Sequence, residues 1–153
     1  MHCARFRPAV LPLALLAAAP MLAAASPSAP GDAAVLAPVQ AFFAAMSRYD
    51  QAGMRAQVLS AGMATLMRHG KPEQIALGDF VDHVKPGKAS IEERIRDPQV
   101  RVDDNIAVVW APYVFLLDGK PHHCGTDVLN LAQVDGRWLI TGIADNSRDC
   151  PAR

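Results

Sequence analysis

The sequence predicts an α+β fold in which helices come first and a mainly antiparallel sheet follows. Two Asp-Gly pairs, Asp118-Gly119 and Asp135-Gly136, each lie between runs of β-branched and aromatic residues. Asp-Gly favours the type I′ turn, in which both central residues have positive φ, so each pair predicts a two-residue hairpin. Residues 105–150 are therefore expected to form three long strands, and the helical spacing of apolar residues upstream places the helices before them.

Residues 35–46 predict the first helix. Val35, Val39, Phe42 and Met46 recur at the spacing of an amphipathic helix with a wide apolar stripe. Pro38 is compatible with this helix if it begins one or two residues earlier, and otherwise kinks its first turn.

Two shorter helices are expected after it. Asp50 is a suitable N-cap for a helix that continues to about Leu59, where Ser60-Ala61-Gly62 would stop it. Asp79 is expected to cap a third helix over residues 80–85, ended by the Pro-Gly pair that follows.

The remaining segments predict strands. Residues 65–77 flank His69-Gly70 in the manner of a hairpin. Residues 91–102 alternate weakly, are rich in charge and contain Pro98, which is typical of an exposed or bulged strand.

The start of the chain has the features of a secretory signal peptide. Two arginines precede an apolar run over residues 9–25, and Ala23 and Ala25 supply the small residues of a cleavage site. Two prolines interrupt this run, which argues against the alternative of an uncleaved membrane anchor. We expect cleavage near Ala25 and a periplasmic or secreted protein, with residues 26–32 as a flexible lead-in and residues 33–150 as one domain.

The charge balance argues against a nucleic-acid partner. The chain has 15 basic and 15 acidic residues, and loss of Arg5 and Arg7 with the signal peptide leaves 13 basic against 15 acidic. No basic patch remains that would bind phosphates. The sequence also lacks a P-loop, a dinucleotide fingerprint and a nucleophile elbow, so no cofactor is expected.

Cys124 and Cys150 are the cysteines left after cleavage, and a pair in an oxidising compartment favours a disulfide. The second hairpin would place Ser147 opposite Cys124. A straight strand would carry Cys150 about 10 Å past it, so the tail must curl back for the bond to form. The alternative is one buried and one free thiol.

Several segments together resemble the nuclear transport factor 2-like (SnoaL-like, cystatin-like) superfamily, and most of all its secreted bacterial group labelled putative lumazine-binding. They are Val39-Gln-Ala-Phe-Phe with Asp50, Ile91-Glu-Glu-Arg, Trp110-Ala-Pro-Tyr, Asp118-Gly-Lys, His123-Cys-Gly-Thr-Asp and Gly136-Arg-Trp-Leu-Ile. The resemblance spans about residues 33–150. It implies a curved sheet wrapped around helices to form a cone with a pocket, often dimeric through the outer sheet face. It implies no particular activity, because the superfamily contains isomerases, dehydratases, cyclases and non-catalytic members.

The turns fix a register that sorts the strand residues by face. The face assigned inward carries Trp110, Val114, His123, Gly125, Asp127, Leu129, Leu131, Trp138 and Ile140. The other face, with Val109, Tyr113, Phe115 and Ile143, is also apolar and is expected to meet a second copy of the chain. The inward assignment rests on Gly125 and Gly142, which would leave room for a cavity. The opposite assignment stays open, since a single bulge would exchange part of it.

The predicted ligand pocket is apolar, with two polar groups of catalytic potential. Its walls are assigned to Phe42, Trp110, Val114, Leu129, Leu131, Trp138 and Ile140. Asp127 would be desolvated and suited to act as a general base, while His123 would orient a substrate. About 13 Å separates these two along the strand, so they cannot form a hydrogen-bonded dyad. The alternative role of Asp127 is a structural bond to the indole N–H of Trp110.

No metal site is expected. His122-His123-Cys124 places potential ligands side by side, but successive strand residues point to opposite faces and cannot share an ion.

Three functions follow from these assignments. The first is a module that binds a small apolar or aromatic molecule in the cone. The second is an isomerase- or dehydratase-type enzyme with Asp127 as base. The third is a non-catalytic dimeric interaction protein whose cone is filled by its own side chains.

Overall fold

The computed structural model describes residues 30–151, so the predicted signal peptide and its cleavage site lie outside the described residues. Three helices precede or interrupt seven strands. The helices are α1 Pro30–Ser47, α2 Gln51–Arg55 and α3 Leu77–His83. The strands are β1 Val58–Arg68, β2 Lys71–Ala76, β3 Ile91–Ile95, β4 Gln99–Asp103, β5 Ile106–Leu117, β6 Lys120–Val134 and β7 Arg137–Arg148.

The strands form one curved mixed sheet with the order β2-β1-β7-β6-β5-β3, and β4 extends the β3 edge by pairing with the other half of β5. All neighbouring pairs are antiparallel except β1 with β7. Helix α1 packs its apolar stripe, including Val35, Val39 and Phe42, against the concave face of this sheet. The predicted α+β fold, with helices on a mainly antiparallel sheet, is confirmed.

The hairpin turns that the sequence predicts are present. Asp118 and Gly119 have φ of 49° and 72°, and Asp135 and Gly136 have φ of 50° and 75°, as a type I′ turn requires. His69-Gly70 closes the β1–β2 hairpin in the same way, with φ of 51° and 77°. Local turn chemistry therefore determines where all three hairpins reverse.

The helix boundaries differ from the prediction. Helix α1 begins at Pro30, inside the expected flexible lead-in, so Pro38 lies in its interior and deprives the helix of one backbone hydrogen bond. The Asp50 carboxylate caps α2 as predicted, accepting from the Gly53 N–H at 2.8 Å. Helix α3 begins at Leu77 rather than after Asp79, because β2 runs directly into it through Ala76, without a side-chain cap.

Helix α2 is shorter than predicted because β1 begins at Val58. Residues Ser60-Ala61-Gly62, expected to stop the helix, lie within this strand instead. The β1–β7 pairing is irregular between Val58 and Met63, which accommodates the small residues. The Asp50 cap marks the start of α2, but Val58 and Leu59 fit a helix and a strand equally well, so the sequence does not show where the helix ends.

A β-bulge in β6 changes which face of the sheet the β5 residues occupy, and part of the predicted assignment is therefore wrong. Leu116 pairs with Pro121 but Phe115 pairs with His123, so His122 is an extra residue. From that point every β5 residue is shifted by one position against the prediction. Trp110 and Val114 therefore lie on the outer face, and Trp110 is 50% exposed.

The residues predicted for the outer, dimer-forming face lie inside. Val109, Tyr113 and Ile143 are buried toward the helices, and Phe115 lies on the same concave side. The outer face instead carries exposed apolar side chains at Met63, Met67, Ile106 and Trp110. None of the helices within residues 30–151 is long and apolar enough to cross a membrane.

The Cys124–Cys150 disulfide is present, with the two Cα atoms 4.9 Å apart. Strand β7 ends at Arg148, which pairs with Cys124 in place of the predicted Ser147, and the chain then turns back as the bond requires. The disulfide packs against Val114 and Leu116 on the outer face. It therefore fixes the C-terminal tail on the side of the sheet opposite α1.

Candidate functional site

One end of the space between the helices and the sheet is open and forms a cavity of about 360 Å³. Its walls are largely apolar and aromatic. They are formed by Phe42, Phe43 and Met46 of α1, Phe80 of α3, Val84 directly after α3, and Phe115 of β5. Polar side chains enter from the sheet: Arg68, Glu93, His123, Asp127 and Asp145. The size is within the usual range for small-molecule sites.

Two carboxyl groups meet at the sheet side of this cavity. Asp127 projects from β6 and is only 3% exposed, while Glu93 projects from the edge strand β3. Glu93 Oε1 and Asp127 Oδ2 are both buried and receive no hydrogen bond from a protein donor. The two carboxyl groups interact with each other, and two carboxyl oxygens can share a hydrogen bond only if one of them carries a proton.

Burial governs the protonation of this pair. Loss of solvent raises the pKa of Asp127 to about 7. Burial, and after it the charge of Asp127, raises the pKa of Glu93 well above its ordinary value. Near neutral pH the pair therefore holds a proton, and the two carboxyl groups titrate as a unit.

An ion pair lies beside the carboxyl pair. Arg68 Nη1 and Nη2 donate to Asp145 Oδ1 and Oδ2 at 2.8 and 2.9 Å. Asp145 is the cross-strand partner of Asp127, so Arg68, Asp145 and Asp127 form a row across β1, β7 and β6 on the concave face. Because Arg68 donates to both Asp145 oxygens, it donates no hydrogen bond to the Glu93–Asp127 pair and acts on it only through its charge.

His123 lines the cavity near this row but makes no hydrogen bond to Asp127. Its ring stacks on Phe115 with centroids 4.8 Å apart and meets the edge of Tyr113 at 5.8 Å. Burial, and next the neighbouring His122, lowers the pKa of His123, so the imidazole is neutral at pH 7. His123 thus contributes a flat, uncharged wall.

The structure separates the residues predicted for the ligand pocket. Phe42, His123 and Asp127 line the cavity. Leu129, Leu131 and Ile140 face inward but lie in the closed core, and Trp138 packs at its edge. Trp110 and Val114 lie on the other side of the sheet, so the proposed bond between Asp127 and the Trp110 indole is absent.

Gly125 does not open the cavity as expected. The Tyr113 ring covers it, and a Cβ there would clash with that ring and with the Asn146 carbonyl. The Tyr113 hydroxyl donates to the same carbonyl at 2.8 Å. Gly125 therefore permits close packing of Tyr113.

Three polar residues of the site were not identified from the sequence: Arg68, Glu93 and Asp145. Glu93 lies between Ile91 and Ile95 on one face of β3, and this alternation indicates an inward side chain. Asp145 follows inward Ile143 by two residues, which is the corresponding signal on β7. Only the three-dimensional pairing of β1 with β7 brings Arg68 to Asp145.

The bulge also changes the geometry of the two histidines. His122 and His123 do not point apart as expected, because their Nδ1 atoms are 2.9 Å apart. Within residues 30–151, however, no group of three His, Cys, Asp or Glu side chains gathers around a common point.

The fold and the cavity define a class: an α+β domain with a curved sheet whose concave face, closed by helices, holds a small site. Residues 30–142 match the protein family described as "Putative lumazine-binding", and the chain belongs to this family. A comparison with curated proteins finds no match.

Solved structures share the fold at low sequence identity. An NTF2-like protein from Cytophaga hutchinsonii is 12% identical, with a TM-score of 0.66 over 79% of this chain and 100% of that one. An NTF-2 like protein of unknown function from Silicibacter pomeroyi is 17% identical, with a TM-score of 0.62 over 77% and 96%. A putative ketosteroid isomerase from Shewanella frigidimarina is 21% identical, with a TM-score of 0.59 over 76% and 97%. These similarities establish the nuclear transport factor 2-like, cystatin-like fold.

Proposed function

We propose that the domain binds a small molecule with a flat, largely apolar body in the cavity between α1, α3 and the sheet. The supporting observation is the cavity itself, about 360 Å³ in volume, with aromatic walls and a few polar groups on one side. Sites of this composition bury most of a small ligand and use the polar groups to orient it. The family description names lumazine, a planar bicyclic heterocycle, which is a suitable first probe.

Titration of the protein into lumazine, with the fluorescence of lumazine as the readout, tests this proposal. Phe115→Ala removes an aromatic wall of the cavity and should weaken binding about tenfold. Trp110→Ala is the matched control, because it removes a half-exposed aromatic ring from the opposite face and should leave binding unchanged. Native mass spectrometry of the purified protein should also find a retained small molecule. Absence of both lumazine binding and any retained ligand would contradict the proposal.

The carboxyl pair supports a second candidate, an enzyme that moves a proton within its ligand. A carboxylate with a pKa of about 7 in a desolvated site is suited to remove a proton from carbon, and Asp127 meets this description. The protonated Glu93 beside it would donate a hydrogen bond to an oxygen that gains negative charge.

Isomerisation of a β,γ-unsaturated ketosteroid tests this candidate, since one structure with this fold is described as a putative ketosteroid isomerase. The wild-type protein should convert the steroid faster than buffer alone does. Asp127→Asn should lose this activity, while its affinity for the steroid stays within a few-fold of the wild-type value. A wild-type protein that binds the steroid without converting it would leave the binding module as the function.

We also propose that the protein is secreted into an oxidising compartment. The arginines and apolar run at the start of the sequence support this, as does the Cys124–Cys150 disulfide. Protein isolated from the periplasm should begin near Ser26. Recovery of Met1 in a membrane fraction would contradict secretion with cleavage.

We further propose that two copies associate through the outer sheet face. Met63, Met67, Ile106 and Trp110 expose apolar side chains there, and such residues are commonly covered by a partner. Trp110→Glu should convert a dimer to a soluble monomer in sedimentation velocity. A wild type that sediments as a monomer at micromolar concentration would exclude this association.

A further inference from the structure

The cavity has an imbalance between hydrogen-bond acceptors and donors. Glu93 Oε1 and Asp127 Oδ2 are buried and receive no hydrogen bond from a protein donor, and one shared proton supplies a single bond to two carboxyl groups that together offer four acceptor oxygens. Nearby donors are already engaged: the Tyr49 hydroxyl donates to the Ala89 carbonyl at 2.8 Å, and Arg68 donates to Asp145. Buried acceptors without donors are costly, so a ligand that supplies N–H groups would gain these bonds.

Charge is also uncompensated. With one shared proton the Glu93–Asp127 pair carries one negative charge, and Arg68 is neutralised by Asp145. Among the described residues, no second basic side chain donates to either carboxyl. A buried negative charge without a partner favours a cationic ligand.

The opposite wall suits a cation as well. Phe42 is stacked with Phe80, with centroids 6.3 Å apart, and meets the edge of Phe43 at 5.5 Å. These three rings line the cavity together with Tyr49 and Phe115. Aromatic faces attract ammonium groups, and they also pack against a flat hydrocarbon body.

We propose that the cavity recognises a protonated amine attached to an aromatic or other apolar body, with the ammonium N–H groups donating to Asp127 and Glu93. This inference rests on the proposed binding function and names the ligand class. The apolar body would lie among the phenylalanine rings, and the ammonium group would replace the missing donors at the sheet. No covalent step is involved.

Binding of such a cation would be linked to proton release. The amine enters already protonated, and it favours ionised Asp127. At pH 6 Asp127 still holds its proton, because burial raises its pKa to about 7, so binding would release about one proton to solvent. Above pH 8 little proton would be released. Affinity should accordingly rise about tenfold from pH 6 to pH 8.

Other titratable groups face the pair and need a control. Besides Arg68 and Asp145, they are Tyr49, His83, Lys85, Tyr113 and His123. Asp127→Asn leaves all of them in place. The difference between wild type and this variant therefore isolates the titration of the carboxyl pair.

Calorimetric titration of the purified protein with 2-phenylethylamine tests the inference, at pH 6 and 8 and in two buffers of different ionisation enthalpy. The matched neutral probe is 2-phenylethanol, which has the same body with a hydroxyl in place of the ammonium. The amine should bind at least about tenfold more tightly than the alcohol at pH 8. Asp127→Asn and Glu93→Gln should each remove this preference and the proton release, whereas Trp110→Ala should keep both.

The outcomes separate this inference from the proposed function. If lumazine or 2-phenylethanol binds as well as the amine, with no proton release, the cavity is a binding site but the cationic ligand class is wrong. If no probe binds and the purified protein retains no ligand, both proposals fail. An amine preference that persists in Asp127→Asn and Glu93→Gln would also overturn the inference, because the carboxyl pair would not be its cause.

Discussion

Replacement of Asp127 by Asn should change how the stability of the protein depends on pH. The unfolded chain releases the Asp127 proton near its ordinary pKa of 3.8, whereas the folded chain holds it until a pH of about 7. Between these values the native state binds more protons than the unfolded state, so its stability falls as pH rises. The contribution is fully present below pH 3.8 and is lost as pH rises through about 7.

The magnitude follows from the width of this window. Each unit between pH 5 and the folded pKa of about 7 contributes about 1.4 kcal/mol, so wild type should lose about 3 kcal/mol from pH 5 to pH 8 through this group. Asp127 is almost fully buried, so solvent screening reduces this value little.

Urea unfolding at half-unit steps from pH 5 to pH 8 measures the effect. Asp127→Asn keeps the shape of a protonated carboxyl and removes its titration, so the variant should gain on wild type steadily as pH rises. Glu73→Gln removes an exposed carboxyl on β2 and serves as the charge control, with a profile parallel to that of wild type. Parallel profiles for wild type and Asp127→Asn would refute the burial argument, because they would mean that Asp127 ionises equally easily in both states.

Three further changes test other parts of the structure. Cys150→Ser opens a loop of 26 residues and should lower the free energy of unfolding by about 3 kcal/mol under oxidising conditions; equal stability of oxidised wild type and variant would exclude a stabilising bond. Gly125→Ala should destabilise the protein by roughly 1–3 kcal/mol in urea, because its Cβ would displace the Tyr113 ring, and a neutral substitution would contradict that packing. Arg68→Met removes a positive charge that lowers the pKa of Asp127. Carbon NMR of the Asp127 carboxyl should therefore show a higher pKa in this variant, and a lower pKa would contradict the electrostatic effect of Arg68 on Asp127.

Local sequence signals predicted the hairpins well, since an Asp-Gly turn depends on two residues and the strands beside them. The long helix was also predictable from its apolar spacing, although its start was not, because nothing in the sequence marks Pro30 as a boundary. Helix α2 and the start of β1 were confused for a different reason. A short apolar run satisfies both periodicities, and only its pairing with β7 determines that Val58 onward is a strand.

The candidate site was predictable only in part because its chemistry is distributed over distant strands. Asp127 was identified as an inward carboxyl from its own strand. Its partner Glu93 lies 34 positions earlier in the chain, on the far side of β5, and its inward direction follows from the alternation of β3. The contact between them depends on the strand order of the sheet, which sequence periodicity does not specify.

The bulge at His122 explains the principal error of the prediction, which is the face assigned to the β5 residues. The extra residue directly follows Pro121, and bulges are one of the few places in a sheet where proline is found. The resulting one-residue shift moves Trp110 to the outer face and places Ala111 opposite Asp127. The same shift puts Phe115 on the concave face opposite His123, where it lines the cavity and stacks on the His123 ring. The same irregularity therefore turns the Trp110 ring toward solvent and places the Phe115 ring against His123 as an aromatic wall of the cavity.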